Sequence, residues 1–366
     1  MPILNRRPPS RREFLRFLPP TVAAATGASA LAGVLGLAAA APVGEAVPFG
    51  AAVRSDALLA DAAYREALAS RCRMLVPEGD LKWDALRPTR GEFRFEKADQ
   101  IAAFARERGL GLRGHTLAWY GALPPWTAEI GTRAEAEREL TAHIETVVSR
   151  YRGRIGSWDV VNEPIPENPA HPGDLRPFVW TRHLGEAFMP IAFRAAAAAD
   201  PGAQLVLNEY DVEFAGGRFR ARREALLRIA RRLKDGGVPL HAVGLQAHLF
   251  ADRAIDRDGL QAFLSEIKAM GLAVLVTELD VIDHALPGPV DLRDALVAAK
   301  AYEFLDAVTA VVRPTAILSW GISDRYTWVP IYFTRADGRP NRPLPLDAEM
   351  RPKLLHQVVE HFRLKA

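Results

Sequence analysis

The amino-acid sequence predicts an α/β fold, a (β/α)8 TIM barrel in a single domain. Short apolar runs rich in β-branched residues recur eight times, and the segments between them contain helical patterns of roughly 15 to 30 residues. Eight such alternations within the length of one domain are typical of a parallel barrel inside a ring of helices. An open doubly wound sheet is the alternative, but no glycine-rich nucleotide loop follows any of the runs.

The strand and helix boundaries follow from the runs and from stop signals such as Asp235-Gly236-Gly237. Between the fifth and sixth runs, the basic residues from Arg218 to Lys234, with Arg222 and Arg223 among them, are expected on a solvated helix face. The eight strands are predicted at Phe49–Val53, Arg73–Pro77, Gly111–Trp119, Ser157–Asn162, Gln204–Asn208, Ala242–Leu249, Ala273–Thr277 and Ala316–Trp320.

The N-terminal segment resembles a twin-arginine export signal. Arg11 and Arg12 lie in the string S-R-R-E-F-L-R, residues 17–44 carry no charge, and small residues at 38–40 offer a cleavage site before Ala41. We predict a signal peptide over 1–41 and a catalytic domain over 42–366. A membrane anchor is the alternative. Two prolines and several glycines make the segment only weakly apolar, so we expect twin-arginine export machinery, a periplasmic or extracellular location and no stable membrane span in the mature form.

Charge and cysteine content exclude several function classes. The chain has 366 residues, 49% hydrophobic and 25% charged, as in ordinary soluble proteins. Its net charge of +3 comes from the N-terminal segment, because without residues 1–40 there are 42 basic and 43 acidic residues. Nothing therefore indicates a nucleic-acid partner. Cys72 is the only cysteine, so an intramolecular disulfide is excluded. We expect Cys72 to be a buried core thiol.

Two glutamates stand where apolar runs stop. Glu163 ends the string W-D-V-V-N-E-P, and Glu278 ends the run L-V-T-E before Leu279 and Asp280. Ionising a buried carboxylate costs several kcal/mol unless something compensates. Such a pair suits a retaining glycosidase, which needs one acid and one nucleophile roughly 5 Å apart. The alternative is that each glutamate closes a buried ion pair with an arginine.

The other predicted strand ends carry polar and aromatic side chains. Aromatic faces, amides and carboxylates suit sugar rings, which present C–H faces and hydroxyl edges. The histidines could instead be satisfied core residues, and they lack metal-ligand spacing. These positions are Glu78, Lys82, Trp83, His115, Trp119, Asn162, Asn208, Glu209, Tyr210, Gln246, His248, Asp280 and Trp320.

Five strings taken together resemble glycoside hydrolase family 10, the endo-β-1,4-xylanase family. They are G-L-R-G-H-T-L-A-W (111–119), W-D-V-V-N-E-P (158–164), G-L-Q-A-H-L (244–249), V-T-E-L-D (276–280) and S-W-G-I-S-D (319–324). The resemblance covers nearly the whole chain after residue 48, with every string in order. It implies a retaining endo-1,4-β-xylanase that acts on xylan and xylo-oligosaccharides without a cofactor or metal, and we expect a monomer.

The resemblance also implies roles for individual residues. Glu163 would be the general acid/base and Glu278 the nucleophile, and Asn162 would bind the sugar 2-hydroxyl. His248 would contact Glu278 and be oriented by Asp280. The remaining substrate-binding residues implied are Lys82, His115, Trp119 and Gln246 on the non-reducing side, Trp320 and Trp328 over the cleft, Glu78 further out, and Tyr210.

Three positions depart from the family pattern. Gly79 stands where the family has Asn, and a glycine has no side chain to bind a hydroxyl. Tyr120 replaces the histidine that follows the strand tryptophan, and Glu209 replaces the aspartate of Asn-Asp-Tyr. Neither predicted catalytic glutamate is affected, but we expect the outer non-reducing subsite to differ.

The same residues allow other interpretations. The alternatives are a retaining enzyme for another β-linked glycan, a catalytically silent sugar-binding barrel and a metal-dependent hydrolase. Arg113 is expected in an internal ion pair, His143 and Trp126 in structural positions, and Trp158 and Asp159 in barrel packing.

Overall fold

The computed structural model describes residues 46–171 and 175–365. The predicted signal peptide, residues 1–41, lies outside the described residues. The described part contains one parallel sheet whose strands are β1 Phe49–Val53, β2 Met74–Pro77, β3 Gly111–Ala118, β4 Ser157–Asn162, β5 Gln204–Glu209, β6 Ala242–Leu245, β7 His248–Phe250, β8 Ala273–Ile282 and β9 Ile317–Ser319.

The sheet closes on itself. Each strand pairs with the next from β1 to β6, β6 pairs with β8, and β8 and β1 both pair with β9. β7 is a short continuation of β6 that pairs with the far end of β8, where His248 lies opposite Asp280. Eight strand positions therefore form a closed parallel barrel, which confirms the predicted (β/α)8 fold.

The sixth and seventh predicted strands differ from the structure. The run predicted as Ala242–Leu249 is interrupted at Gln246 and Ala247, because Ala247 has a φ of +59°. The Ala247 N–H donates to Oε1 of the fully buried Glu213 at 3.2 Å instead of to a neighbouring strand. The strand predicted to stop at Thr277 continues to Ile282, so Glu278 lies within β8, beside a register shift between Val276 and Leu279.

The helices of the described residues surround the barrel, and several begin at side-chain caps. Asp61, Thr132 and Asp256 each accept a hydrogen bond from a backbone N–H of the first turn. The helices are α1 Ser55–Ala60, α2 Ala62–Arg71, α3 Trp83–Leu86, α4 Glu96–Glu107, α5 Arg133–Arg150, α6 Val179–Leu184, α7 Phe188–Ala199, α8 Gly217–Asp235, α9 Arg257–Ala269, α10 Val290–Thr309, α11 Val329–Tyr332 and α12 Leu354–Lys365.

Helix α8 is less solvated than its basic sequence predicts. Arg222 is fully buried and its Nη2 lies 2.6 Å from Glu209 Oε1. Arg223 is also buried, and it pairs with the α9 cap residue Asp256. The expectation of a solvated basic face was therefore wrong at these two positions, because each guanidinium has a carboxylate partner supplied by another element.

Alternate strand residues build two packed layers. Ala52, Val76, Leu275 and Trp320 belong to the cluster inside the barrel, whereas the neighbouring β1 residue Val53 belongs to the outer cluster between strands and helices. Cys72 is fully buried in that outer layer, and burial raises the pKa of its thiol to about 12. In the residues that the structure describes, none of the helices has the length and apolarity to span a membrane.

Candidate active site

Glu163 follows the last residue of β4 and lies at the carboxyl end of the barrel. Its φ is +53°, in the left-handed region that residues with a Cβ seldom adopt. Its N–H donates to Asn208 O at 3.0 Å, and Arg176 Nε donates to Glu163 O at 3.1 Å. Both contacts hold the backbone in this conformation, which is typical of functional sites. The side chain is half-buried.

Three amide side chains connect Glu163 to Glu278. Asn162 Nδ2 and Gln246 Nε2 donate to Glu163 Oε1 at 3.1 and 2.9 Å. Asn208 Nδ2 donates to Glu278 Oε1 at 2.7 Å and to Asn162 Oδ1 at 2.8 Å. Although they are far apart in the sequence, the two carboxylates therefore share one hydrogen-bonded cluster, which we call the amide cluster (Asn162, Asn208 and Gln246).

The position of the Asn208 amide depends on β6 and β8. Thr277 Oγ1 donates to Asn208 Oδ1 at 2.7 Å, which turns the Nδ2 group toward Glu278. Gly244 faces the same amide, and a Cβ built on it would lie 2.1 Å from Asn208 Oδ1. Glycine is therefore required at position 244 for the amide cluster to close.

His248 lies between two carboxylates. Its Nε2 is 3.2 Å from Glu278 Oε2, and its Nδ1 is 3.0 Å from Asp280 Oδ1. Trp328 Nε1 donates to the other oxygen of Asp280 at 2.7 Å. Burial lowers the pKa of His248, but the charge and hydrogen bond of Asp280, with those of Glu278, raise it well above its ordinary value. His248 therefore carries a positive charge at neutral pH.

Glu278 is ionised despite its burial. Its side chain is almost inaccessible, and burial by itself would raise its pKa. The hydrogen bond from His248, the charges of His115 and His248, and the hydrogen bond from Asn208 together lower the pKa below its ordinary value. A carboxylate held ionised in this way, at the mouth of a barrel, has the character required of a nucleophile.

His115 on β3 is oriented by a buried ion pair. Its Nδ1 lies 2.9 Å from Asp159 Oδ2, and the other oxygen of Asp159 pairs with Arg113. All three side chains are buried. The His115 ring meets Trp320 edge to face, with 5.0 Å between ring centroids.

Tryptophan rings and a lysine form the walls beside the glutamates. Lys82 Nζ lies 4.7 Å from the ring centroid of Trp119 and 5.9 Å from that of Trp320. The Trp328 ring meets His248 edge to face at 5.0 Å. Apolar ring faces next to a cation and hydrogen-bonding groups are suited to sugar rings.

Glu78 and Gly79 directly follow β2, and Glu78 interacts electrostatically with Lys82. Burial raises the pKa of Glu78 to about 7, against the charges of Arg54 and Lys82. A Cβ built on Gly79 would meet no atom within 4 Å, and this glycine has no positive φ. The fold therefore leaves room for a side chain at position 79, although the sequence supplies none.

Arg176 is a site residue that the sequence analysis missed. Besides Glu163 O, it donates through Nη2 to Ile165 O at 3.0 Å and to Tyr210 Oη at 2.7 Å. Its Cζ lies 4.1 Å from the ring centroid of Tyr120. No motif points to Arg176, because two of its partners are backbone oxygens; its position shortly after Glu163 is the only signal in the sequence.

Two residues that were predicted to face a ligand do not do so. Trp83 is fully buried, stacks on His143 with 3.6 Å between ring centroids, and donates from Nε1 to Leu117 O at 2.7 Å. Glu209 points away from the cleft and pairs with Arg222. Within residues 46–171 and 175–365, no group of three or more His, Cys, Asp or Glu side chains could hold a metal ion.

Comparison with known proteins gives consistent matches. The sequence model of Glycosyl hydrolase family 10 matches residues 37–361. Endo-1,4-β-xylanase C of Phanerodontia chrysosporium is 37% identical over 282 residues, which are 75% of this chain and 67% of that protein. For endo-1,4-β-xylanase A of the same fungus, the match is 36% identical and spans 75% of this chain and 65% of that protein. β-1,4-Xylanase of Dictyoglomus thermophilum is 33% identical, over 79% of this chain and 82% of that protein.

Solved structures show the same similarity. Xylanase 10B from Thermotoga petrophila, crystallised with xylobiose, superimposes with a TM-score of 0.79 at 30% identity, covering 87% of this chain and 94% of that one. Native xylanase 10B from Thermotoga maritima gives a TM-score of 0.78 at 30% identity, covering 87% and 95%.

Proposed function

Because the chain belongs to glycosyl hydrolase family 10, we propose that it is a retaining endo-1,4-β-xylanase in which Glu163 is the general acid/base and Glu278 the nucleophile. The family and the relatives support the class, a glycoside hydrolase that cleaves xylan. The assignment of roles rests on one observation: two carboxylates share the amide cluster, and only Glu278 also contacts the charged His248.

In the first step, a Glu278 oxygen attacks the anomeric carbon while Glu163 gives its proton to the glycosidic oxygen. The bond between the anomeric carbon and that oxygen breaks, the xylan fragment leaves as an alcohol, and an ester joins the sugar to Glu278. The lowered pKa of Glu278 keeps the attacking oxygen unprotonated. As the ester forms, Glu278 loses its negative charge, so its hydrogen bonds with Asn208 and His248 would weaken.

In the second step, Glu163 takes a proton from water, which attacks the anomeric carbon and breaks the ester. Glu278 is restored as a carboxylate and the sugar keeps its β-configuration after two inversions. Esterification removes the negative charge of Glu278 from the amide cluster, so Glu163 can carry a negative charge more easily in this step.

The substrate-binding roles belong to the same proposal. Asn162 would bind the 2-hydroxyl, and Lys82, His115, Trp119 and Gln246 would hold the sugar on the non-reducing side. Trp320 and Trp328 would cover the cleft, with Glu78 further out and Tyr210 on the side of Arg176. Lys82 and the tryptophan faces support this arrangement, because the cation and the rings lie within 6 Å of one another.

Kinetics of matched variants on xylan test the assignment. We expect Glu278→Ala to lose about 10⁴-fold or more in kcat. Glu163→Gln should lose a similar factor in kcat/KM on xylan but much less in kcat/KM on a dinitrophenyl β-xylobioside, whose leaving group needs no protonation in the first step. Glu224→Gln, at a largely exposed carboxylate of α8, is the control. Near-normal xylan hydrolysis by Glu278→Ala would contradict the assignment, as would an inverted first product in NMR.

Activity and binding assays on the wild-type protein distinguish two alternative functions. Turnover of another β-glycan in preference to xylan would mean that this glycan is the substrate, whereas tight xylan binding with no turnover would indicate a binding protein.

Export is a further proposal from the N-terminal string. The double variant Arg11→Lys with Arg12→Lys should leave the precursor inside the cell, as measured by fractionation.

A further inference from the structure

We propose that Glu213 is a positioning residue for the two catalytic glutamates of the proposed reaction. It holds the peptide unit that separates Gln246 from His248, and these two side chains contact Glu163 and Glu278. The inference rests on the proposed function, because it assigns a residue that acts through the partners of both glutamates. Glu213 lies on the segment between β5 and α8 and is fully buried.

The break between β6 and β7 contains an unfavourable backbone conformation at Ala247. Its φ of +59° lies in the left-handed region, which a residue with a Cβ keeps only when surrounding contacts hold it there. Glu213 makes such a contact, because its Oε1 accepts from the Ala247 N–H at 3.2 Å. Ala247 is fully buried, so solvent does not compete for this N–H. The Glu213 carboxyl therefore fixes the backbone at the break.

The break is also joined to β8, the strand that carries Glu278. The Glu278 N–H donates to Gln246 O at 3.0 Å, and the Asp280 N–H donates to Ala247 O at 3.3 Å. Gln246 O and the Ala247 N–H belong to the same peptide unit. That unit therefore connects the Glu213 carboxyl to the backbone of Glu278.

Side chains on both sides of this peptide unit reach the reacting carboxylates. Gln246 Nε2 donates to Glu163 Oε1 at 2.9 Å, and His248 Nε2 lies 3.2 Å from Glu278 Oε2. A rotation of the peptide unit would move both contacts at once. Glu213 opposes that rotation, and so it affects both glutamates through their partners.

The contact with Ala247 accounts for a carboxyl at this depth. Among the residues that the structure describes, the second oxygen of Glu213, Oε2, is buried and has no hydrogen-bond partner. Burying a carboxyl with so few partners is costly, and burial with the charge of Asp211 raises the pKa of Glu213 to about 7. A carboxyl oxygen accepts a hydrogen bond in both protonation states, so the contact persists as Glu213 titrates.

Two variants separate the hydrogen bond from the charge. Glu213→Asp keeps the carboxyl but withdraws it by one methylene, whereas Glu213→Gln keeps the length and the acceptor oxygen. We expect Glu213→Asp to lose about ten-fold in kcat/KM on xylan and on the dinitrophenyl xylobioside, because the surroundings of Glu278 matter for both substrates. Glu213→Gln should stay within about two-fold of wild type. Glu224→Asp, at an exposed position of α8, is the control for the same shortening.

The pH profile gives a readout that loss of packing alone would not move. The charges that lower the pKa of Glu278 are those of His115 and His248. When the break relaxes in Glu213→Asp, His248 moves away from Glu278, and the acidic limb of kcat/KM should move up by about half a pH unit. Glutamine should leave that limb in place, because below pH 7 wild-type Glu213 is itself mostly uncharged.

A second substitution, Ala247→Gly, tests the same contact from the other side. Glycine adopts the left-handed backbone without a steric cost, so the break depends less on its acceptor. Added to Glu213→Asp, it should recover about three-fold in kcat/KM and return the acidic limb toward that of wild type. All variants are assayed below their unfolding temperatures, measured at the same pH.

Three results would overturn the proposal for Glu213. One is equal kcat/KM and coincident acidic limbs for Glu213→Asp and Glu213→Gln. Another is a larger loss in the glutamine variant, which would assign the effect to charge. The third is a loss in Glu213→Asp with an unmoved limb and no recovery by Ala247→Gly, which would indicate core packing. A wild-type protein inactive on xylan would instead refute the proposed function.

Discussion

His248 Nε2 lies 3.2 Å from Glu278 Oε2, while the opposite nitrogen of the same ring is held 3.0 Å from Asp280. This charged imidazole is the principal reason that a nearly inaccessible carboxylate can be ionised in an apolar barrel. The burial of Glu278 and the proximity of His248 act on its pKa in opposite directions, and the cation, with the amide of Asn208, prevails.

Replacing His248 should therefore move the acidic limb of activity. In the proposed mechanism Glu278 must be unprotonated to react, so activity should fall as the pH drops through its pKa. Without the adjacent cation that pKa rises, and we expect His248→Gln to shift the acidic limb of kcat/KM upward by about one pH unit or more. His361→Gln on α12 is the control. An unchanged acidic limb would mean that His248 does not set the ionisation of Glu278.

Gly244→Ala should reduce activity with little effect on substrate affinity. Its Cβ would displace the Asn208 amide from Glu278 and from Asn162. We expect kcat to fall by about ten- to a hundred-fold, since one well-placed hydrogen bond to a charged group is worth about 1.5–3 kcal/mol. Gly156→Ala is the matched control, because a Cβ there meets no atom within 4 Å. Equal kinetics of the two variants would remove Asn208 from the mechanism.

Gly79→Asn should strengthen substrate binding at the outer non-reducing subsite that we propose beside Glu78. The position is open and the backbone is not in the left-handed region, so asparagine is accommodated without strain. A new amide beside Glu78 should lower KM several-fold for xylotriose or longer oligosaccharides. The KM for an aryl xylobioside should be nearly unchanged. Gly79→Ala serves as the control. A KM that does not depend on the amide would place position 79 outside the substrate path.

Protein stability should fall as the pH rises from about 4.5 to 7. Glu213 is fully buried, and burial together with the charge of Asp211 raises its pKa to about 7. The folded state then holds a proton that the unfolded state has already lost, so stabilisation is present at low pH and disappears through pH 7.

Glu213→Gln should remove part of this pH dependence. The amide oxygen can still accept from Ala247 N–H, and no charge is left to bury. We therefore expect the variant to be more stable than wild type at pH 8, by about 3 kcal/mol at most, and nearly equal at pH 5 in denaturant titrations. Glu224→Gln, at an exposed position of α8, should show neither effect. A variant less stable at pH 8 would mean that ionised Glu213 is satisfied in the native state.

Much of this architecture could be predicted from local sequence. The runs at Phe49–Val53 and Ser157–Asn162 coincide with β1 and β4, because each is short, contains apolar β-branched residues, follows a proline or a glycine and is followed by a charged residue. The sixth strand was predicted as continuous because G-L-Q-A-H-L has no proline or glycine at its break. The break exists because Glu213, on a distant segment, bonds the Ala247 N–H, and a local pattern carries no such information.

The site was predictable to the level of residue types but not of contacts. The strand-end rule brought Asn208 and Glu209 forward together, yet one reaches Glu278 and the other pairs with Arg222 on the opposite side of β5. Neighbouring strand residues point to opposite faces of the sheet, so only one of these two side chains can face the cleft. The sequence pattern alone does not say which one. The burial of Arg222 likewise depended on a partner that helix periodicity could not identify.

The left-handed backbone of Glu163 bears on how a substrate complex should be trapped. Asparagine and glycine tolerate this conformation, whereas valine or isoleucine would force the peptide out of it and distort the loop along with the chemistry. An inactive protein intended for crystals soaked in oligosaccharide is therefore better built with Asn or Gly at position 163. In the proposed mechanism, glycine would also open a hole next to the anomeric centre, large enough for a small external anion to enter and complete the reaction in place of water.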